Sequence, residues 1–159
     1  RLARGETQQI GARERVDLAT LLCDVTDSLR PLAEAKGLAL TSDVAGDLTL
    51  TGDGDALIRL FVNLLDNAVK YTERGSIAVT GRSEAVSVRV TVTDTGIGIP
   101  AEHLPHVFDR FYRVDKGRAE RGAGLGLAIA QEIARAHRGA LTVESTPGAG
   151  TAFTVYLPK

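Results

Sequence analysis

Apolar residues at Leu57, Leu60, Phe61, Leu64, Leu65 and Ala68 recur at i, i+3 and i+4, which predicts a helix over residues 55–72 with one buried face. Asn63, Asn67 and Lys70 stand four and three residues apart, so they form a second, polar stripe on the same cylinder. Upstream, Asp17 can cap a helix through Leu18, Leu21, Leu22, Val25, Leu29 and Leu32 that Gly37 stops, and Pro31 should kink or split it. Residues 38–44 and 48–51 read as two short strands joined near Gly46 and Asp47. Residues 76–93 read as a hairpin. Ile77 and Val79 lead to a turn near 82–85, and Val86, Val88, Val90 and Val92 then alternate with polar residues. A second apolar helix is predicted over 125–137 with Gly139 as its stop, followed by strands 140–145 and 151–157 around a turn at 146–150. Residues 1–16 carry too few apolar positions to build anything alone; they read as the tail of an upstream helix and a linker, ahead of a domain at 17–159. This order of elements predicts an α+β, two-layer sandwich rather than a doubly wound parallel sheet.

A chain of 159 residues suits one such domain, and the missing Met suggests a piece cut from a longer protein. A formal net charge of −1 offers no basic surface for nucleic acid or anionic lipid. The lone Cys23 excludes an internal disulfide and a cysteine zinc cage, and no apolar run is long enough to span a bilayer.

The polar stripe points to a ligand. A buried amide costs about 1–3 kcal/mol unless something satisfies it. Asn oxygen suits magnesium and Lys suits phosphate, so a metal-bound polyphosphate fits the three residues; a stripe facing solvent or a neighbouring loop fits the pattern too. Asp94 closes the best strand and is followed by Gly96 and Gly98, which places a carboxylate at a sharp turn where a purine amino group could donate to it. A plain Asp-Thr-Gly turn is the bland alternative. Gly96, Gly98 and Ala101 also match a dinucleotide fingerprint, but Pro105 and a cluster of aromatics follow where that fold needs a long helix. Phe108 and Phe111 would anchor the next segment, with Arg110 and Arg113 within reach of phosphates. Residues 115–121 are almost all charged and suit a closing lid as well as a solvated loop. Gly122, Gly124 and Gly126 open the 125–137 helix, whose N-terminus favours anions; glycines that let a helix pack closely explain the same run.

Together, in this order and spacing, these segments resemble the catalytic ATP-binding domain of bacterial sensor histidine kinases, in the wider family that includes gyrase and MutL. Residues 63–72 resemble its N box, 94–99 its first glycine box, 108–113 its F box and 122–127 its second glycine box. The resemblance implies the Bergerat fold, a mixed and mostly antiparallel sheet backed by about three helices. It implies ATP and magnesium as cofactors. Asp94 would bond the adenine amino group, Asn67 with Asn63 would hold magnesium, and Lys70 would touch phosphate, so that Asn63, Asn67 and Lys70 form the catalytic set. Tyr71, Gly96, Gly98 and Ile99 would line the nucleotide site, with Phe108 and Arg113 beside it. Gly122, Gly124, Leu125, Gly126 and Leu127 would complete it.

Hydrolytic members of that family carry a glutamate four residues before the metal-binding asparagine, and Asn63 stands there instead. The resemblance therefore implies transfer of the γ-phosphoryl group to a histidine on a helical dimerisation domain of the same protein, and onward signalling to a response regulator. None of His103, His106 and His137 is followed by the acidic residue the acceptor motif carries; His137 reads as a structural or exposed residue at a helix end. A serine kinase or anti-sigma factor of the same fold, and an ATP-binding adaptor without transfer, are the alternatives. A cytoplasmic location is implied, with the parent protein anchored in the inner membrane or not, and neither nucleic acid nor membrane contacts are expected for this domain.

Overall fold

The computed structural model describes residues 11–112 and 125–159. Strand β1 (Glu14–Asp17) leads into helix α1 (Leu18–Ala35), then come β2 (Ala39–Ala45), β3 (Thr49–Gly52) and helix α2 (Gly54–Lys70). The hairpin β4 (Ser76–Ser83) and β5 (Ser87–Asp94), a short 3-10 turn at Ala101–His106, helix α3 (Gly126–Ala136), β6 (Ala140–Thr146) and β7 (Gly150–Pro158) complete it. A five-stranded sheet runs in the order β2-β4-β5-β7-β6. Only β2 and β4 pair in parallel; the other pairs are antiparallel. β1 and β3 form a separate antiparallel pair. The mixed, mostly antiparallel sheet backed by three α-helices is the expected α+β sandwich.

Alternation makes the layers. Ile77 and Val79 of β4, Val88, Val90 and Val92 of β5, and Phe153, Val155 and Leu157 of β7 are each at most 1% exposed. They pack as one row set against Leu57, Leu60, Phe61, Leu64 and Leu65 of α2, all fully buried. Burial of side chains of this size contributes about 1.5–3 kcal/mol each, so the α2–sheet contact stabilises the fold substantially. Register then decides where chemistry sits. Asp94 is the next residue on the Val88–Val90–Val92 row, and it lies between Ile77 on one neighbour and Thr151 on the other.

Several local expectations are corrected. α1 is not split at Pro31 and continues to Ala35. The carbonyl that Pro31 leaves without its helical donor belongs to Asp27, on the exposed face, where losing that bond costs little. Leu32, on the same side, is 53% exposed and not part of the buried stripe. Val86 is 78% exposed because the turn extends to it and β5 begins only at Ser87. β2 and β3 do not pair with each other: β2 joins β4, and β3 joins β1. Residues 14–16, expected as linker, belong to β1. At the end of α3 the left-handed residue is Arg138 (φ 64°), not Gly139. Gly139 donates its N–H to the Ala134 carbonyl, and its lack of a side chain admits the Tyr156 carbonyl.

Candidate functional site

Asp94 is 5% exposed at the end of β5. Its Oδ1 accepts the Gly96 N–H at 2.9 Å, and the Thr151 backbone also bonds the carboxylate. Burial pushes this carboxyl above its ordinary range, and the Gly96 and Thr151 amides only partly offset it. A desolvated acceptor with few partners is suited to a ligand donor.

The loop after Asp94 is pinned on both sides. Ile97 N–H donates to the Tyr71 carbonyl (3.2 Å), which ties the loop to the end of α2. The Ile97 carbonyl in turn accepts from Gly148 N–H (2.7 Å), and Ile99 N–H donates to Ser145 Oγ at 2.7 Å. Gly96 is required here because a Cβ would strike the Tyr71 carbonyl, and Gly98 (φ 75°) because a Cβ would strike Thr146. The predicted residues Tyr71, Gly96, Gly98 and Ile99 are thus brought to Asp94.

Helix α2 begins with Asp53 as cap, its side chain accepting from Ala56 N–H. Asn63, Asn67 and Lys70 all lie half-buried on it. Asn63 Nδ2 donates to the Gly126 carbonyl at 3.1 Å, which brings the start of α3 to the stripe. Lys70 Nζ lies 3.1 Å from Asp66 Oδ2, a partly exposed pair. From Asn63 to Tyr71 is eight residues, or about 12 Å of helix. This C-terminal stretch of α2 therefore runs from the start of α3 to the Asp94 loop. No side chain among the described residues caps the α3 N-terminus, and a helix N-terminus is a favourable place for an anion. Leu125 and Leu127 flank Gly126, and Leu127 packs on the core. The donor set on α2 fits a magnesium ion that keeps waters and phosphate oxygens, since asparagine supplies hard oxygen. No cluster of three or more His, Cys, Asp or Glu side chains suited to a metal occurs among the described residues.

Phe108 packs edge-on against Phe153, ring centroids 6.1 Å apart, and anchors its segment. Phe111 does not: its backbone is left-handed (φ 66°) and its ring is 66% exposed. Arg110 pairs with Glu132 of α3 at 2.7 Å. Arg113, Gly122, Gly124 and the charged loop 115–121 lie outside the described residues.

The histidines are accounted for locally. His137 is 2% exposed, so it is structural and not exposed. Its Nε2 accepts the Asp53 N–H (3.0 Å) while Nδ1 donates to the Ile133 carbonyl (2.9 Å). His103 Nδ1 bonds the Tyr112 hydroxyl, and His106 pairs with Asp109 at 3.1 Å.

Three residues at the Asp94 end escape sequence reasoning. Thr151 is 7% exposed opposite Asp94, and its Oγ1 lies 2.8 Å from the Oγ of the second, Ser145. The third, Thr72, is fully buried beside Gly96. Thr72 directly follows the polar stripe, and Thr151 opens a strand after Gly150; these are the signals that could have found them.

Residues 52–159 match the family described as histidine kinase-, DNA gyrase B- and HSP90-like ATPases. The chain is 44% identical to the sensor histidine kinase RppB of Synechocystis, over 89% of this chain and 32% of that protein. It is 42% identical to the adaptive-response sensory kinase SasA of Thermosynechococcus vestitus, over 94% of this chain and 40% of that one. The chain thus spans well under half the length of these relatives. Among solved structures, full-length ShkA in complex with AMPPNP superposes with a TM-score of 0.85 at 32% identity, covering 95% of this chain and 32% of that chain. The catalytic domain of histidine kinase ThkA, nucleotide-free, gives 0.83 at 26% identity, covering 94% and 99%.

Proposed function

We infer the function from one premise: the chain belongs to the histidine kinase-, DNA gyrase B- and HSP90-like ATPase family, as a catalytic ATP-binding domain of the sensor histidine kinase type. It binds magnesium-ATP along α2 and presents the γ-phosphoryl group to a histidine on the dimerisation domain of its parent protein. The observation that carries this reading is the half-buried asparagine–lysine stripe of α2, which runs from Asn63, bonded to the start of α3, to Lys70 beside the loop that follows the buried Asp94 carboxylate.

Asp94 accepts from the adenine amino group, a bond to a charged acceptor contributing about 1.5–3 kcal/mol. Asn67, with Asn63, offers amide oxygen to the metal, and Lys70 draws negative charge from the phosphates. Bound magnesium would neutralise charge on the phosphate oxygens. Transfer breaks the bond between the γ-phosphorus and the β,γ-bridging oxygen, forms a bond to an imidazole nitrogen and leaves ADP. Such a reaction asks the protein for alignment and charge stabilisation more than for covalent chemistry. Asn63 offers no base to activate water, which favours transfer over hydrolysis. A cytoplasmic setting and a response regulator downstream belong to the same reading; no helix among the described residues is long and apolar enough to cross a membrane.

The test follows label from γ-labelled ATP. The chain alone should take up none, and should label the parent's dimerisation domain when that is supplied. Calorimetry with and without magnesium should show metal-dependent ATP binding that Asn67→Ala abolishes. Label on serine would favour the serine-kinase alternative, and tight binding without transfer an adaptor.

A further inference from the structure

His137 is a buried titratable side chain that the phosphoryl transfer does not use. It is 2% exposed at the end of α3, yet both of its ring nitrogens are engaged. An amide N–H can only donate, so the Asp53 N–H, 3.0 Å away, makes Nε2 the unprotonated nitrogen. The ring proton then sits on Nδ1, which donates to the Ile133 carbonyl at 2.9 Å. Room is kept for the ring: a Cβ on Gly52 would stand 2.7 Å from its Cδ2 and 2.8 Å from its Nε2. Leucine would fill the volume, but it could not accept the Asp53 N–H.

That bond joins the end of α3 to the head of α2. The start of α3 is joined to the same helix by Asn63 Nδ2, which donates to the Gly126 carbonyl at 3.1 Å. The two helices are therefore antiparallel and tied at two points. From Asp53 to Asn63 is ten residues, or about 15 Å of helix, and from Gly126 to His137 is eleven, or about 16 Å. The spans agree to within about one residue's rise, so both bonds close together in only one lengthwise register. Packing alone defines that register poorly. The buried face of α3 is Ala128, Ala130, Ile133 and Ala134, and alanines give low ridges that interlock weakly with a neighbour. At Asn63 the register has a chemical consequence: the Gly126 carbonyl engages the NH2 half of the amide, which leaves the oxygen as the half that can meet a metal.

We propose that His137 is a positioning residue for the metal-bound polyphosphate: by accepting the Asp53 N–H it sets how far α3 slides along α2, and so orients the Asn63 amide for magnesium. This rests on the ATP-binding reading above and adds to it a residue that acts through Asn63 from the far end of α3.

The test combines calorimetry of magnesium-ADP and of adenosine with nitrogen NMR, on the wild-type chain, His137→Leu, His137→Gln and Gly52→Ala. In wild type the ring should be the Nδ1–H tautomer, with a scalar coupling between Nε2 and the Asp53 amide nitrogen across the hydrogen bond. His137→Leu should weaken magnesium-ADP by about tenfold, the low end for groups that orient a metal ligand, and leave adenosine within about twofold. His137→Gln, which keeps an acceptor, should recover most of that loss. Gly52→Ala should reproduce the loss with the histidine still present, and it carries the comparison if the leucine form does not fold. A ring in the Nε2–H tautomer, equal weakening of both ligands, or unchanged magnesium-ADP affinity in His137→Leu and Gly52→Ala would overturn the assignment while leaving ATP binding intact. Failure of wild type to bind magnesium-ADP at all would instead remove the ATP-binding reading itself.

Discussion

At the Asp94 end of α2, the carboxylate, the loop after it and the 146–150 turn are held by four backbone N–H donors: Gly96 to the Asp94 carboxylate, Ile97 to the Tyr71 carbonyl, Gly148 to the Ile97 carbonyl and Ile99 to the Ser145 hydroxyl. Along the stripe from Asn63 to Lys70, the Asn63 side chain joins α2 to Gly126, and Lys70 shares a partly exposed pair with Asp66. Exposed pairs of that kind contribute about 0.3–0.5 kcal/mol. The contrast separates two kinds of recognition. A rigid, dry pocket floor reads shape and hydrogen-bond sense, and a softer polar stripe accommodates a polyphosphate whose geometry changes during transfer.

The sharpest way to break this contrast is Gly150→Ala. Gly150 has φ 133°, and a Cβ there would strike the Asp94 carbonyl. Left-handed strain and a backbone collision together should cost about 3 kcal/mol or more. Urea unfolding would report it as a lowered midpoint. A midpoint equal to that of wild type would show that the Asp94 end yields easily and is not the rigid one.

Asp94→Asn comes next and separates binding from stability. Nucleotide affinity should fall by about 1.5–3 kcal/mol, read by calorimetry. Stability should move the other way. Because burial raises the folded-state pKa of Asp94, the folded chain holds this proton more tightly than the unfolded chain, and wild type loses stability as pH rises through the folded value. At neutral pH the neutral asparagine escapes that penalty, so the variant should melt higher than wild type. Its advantage should vanish as pH falls below about 4, where the unfolded carboxyl also protonates. An advantage that is independent of pH would mean that the charge on Asp94 is not its source.

The same contrast explains what could be read along the chain. The Asn63–Asn67–Lys70 stripe was legible because it lies within one helix, whose period places those residues together. Asp94 was legible because a strict alternation of valines runs into it. Thr151 and Ser145 were not, because they reach Asp94 only through β7 lying beside β5 and β6, and Thr72 was not, because it meets Gly96 only where the loop after β5 folds back on the end of α2. β1 was missed because only Val16 of its residues is buried, so it carries no periodicity of its own. Pro31 misled because its effect depends on which face of α1 it occupies, and the exposed face tolerates it.

The smallest effect tests the softer end. A Cβ on Gly126 would stand 3.8 Å from Asn63 Cγ, an ordinary contact, and the residue is exposed in the first turn of α3. Gly126→Ala should therefore leave nucleotide affinity within about twofold and stabilise the fold by under about 1 kcal/mol, since alanine favours helix over glycine. Thermal unfolding and ATP titration of the same variant give both numbers. A loss of affinity as large as that of Asp94→Asn would mean that the start of α3 is held as tightly as the Asp94 loop, and the distinction between a rigid end and an accommodating one would fail.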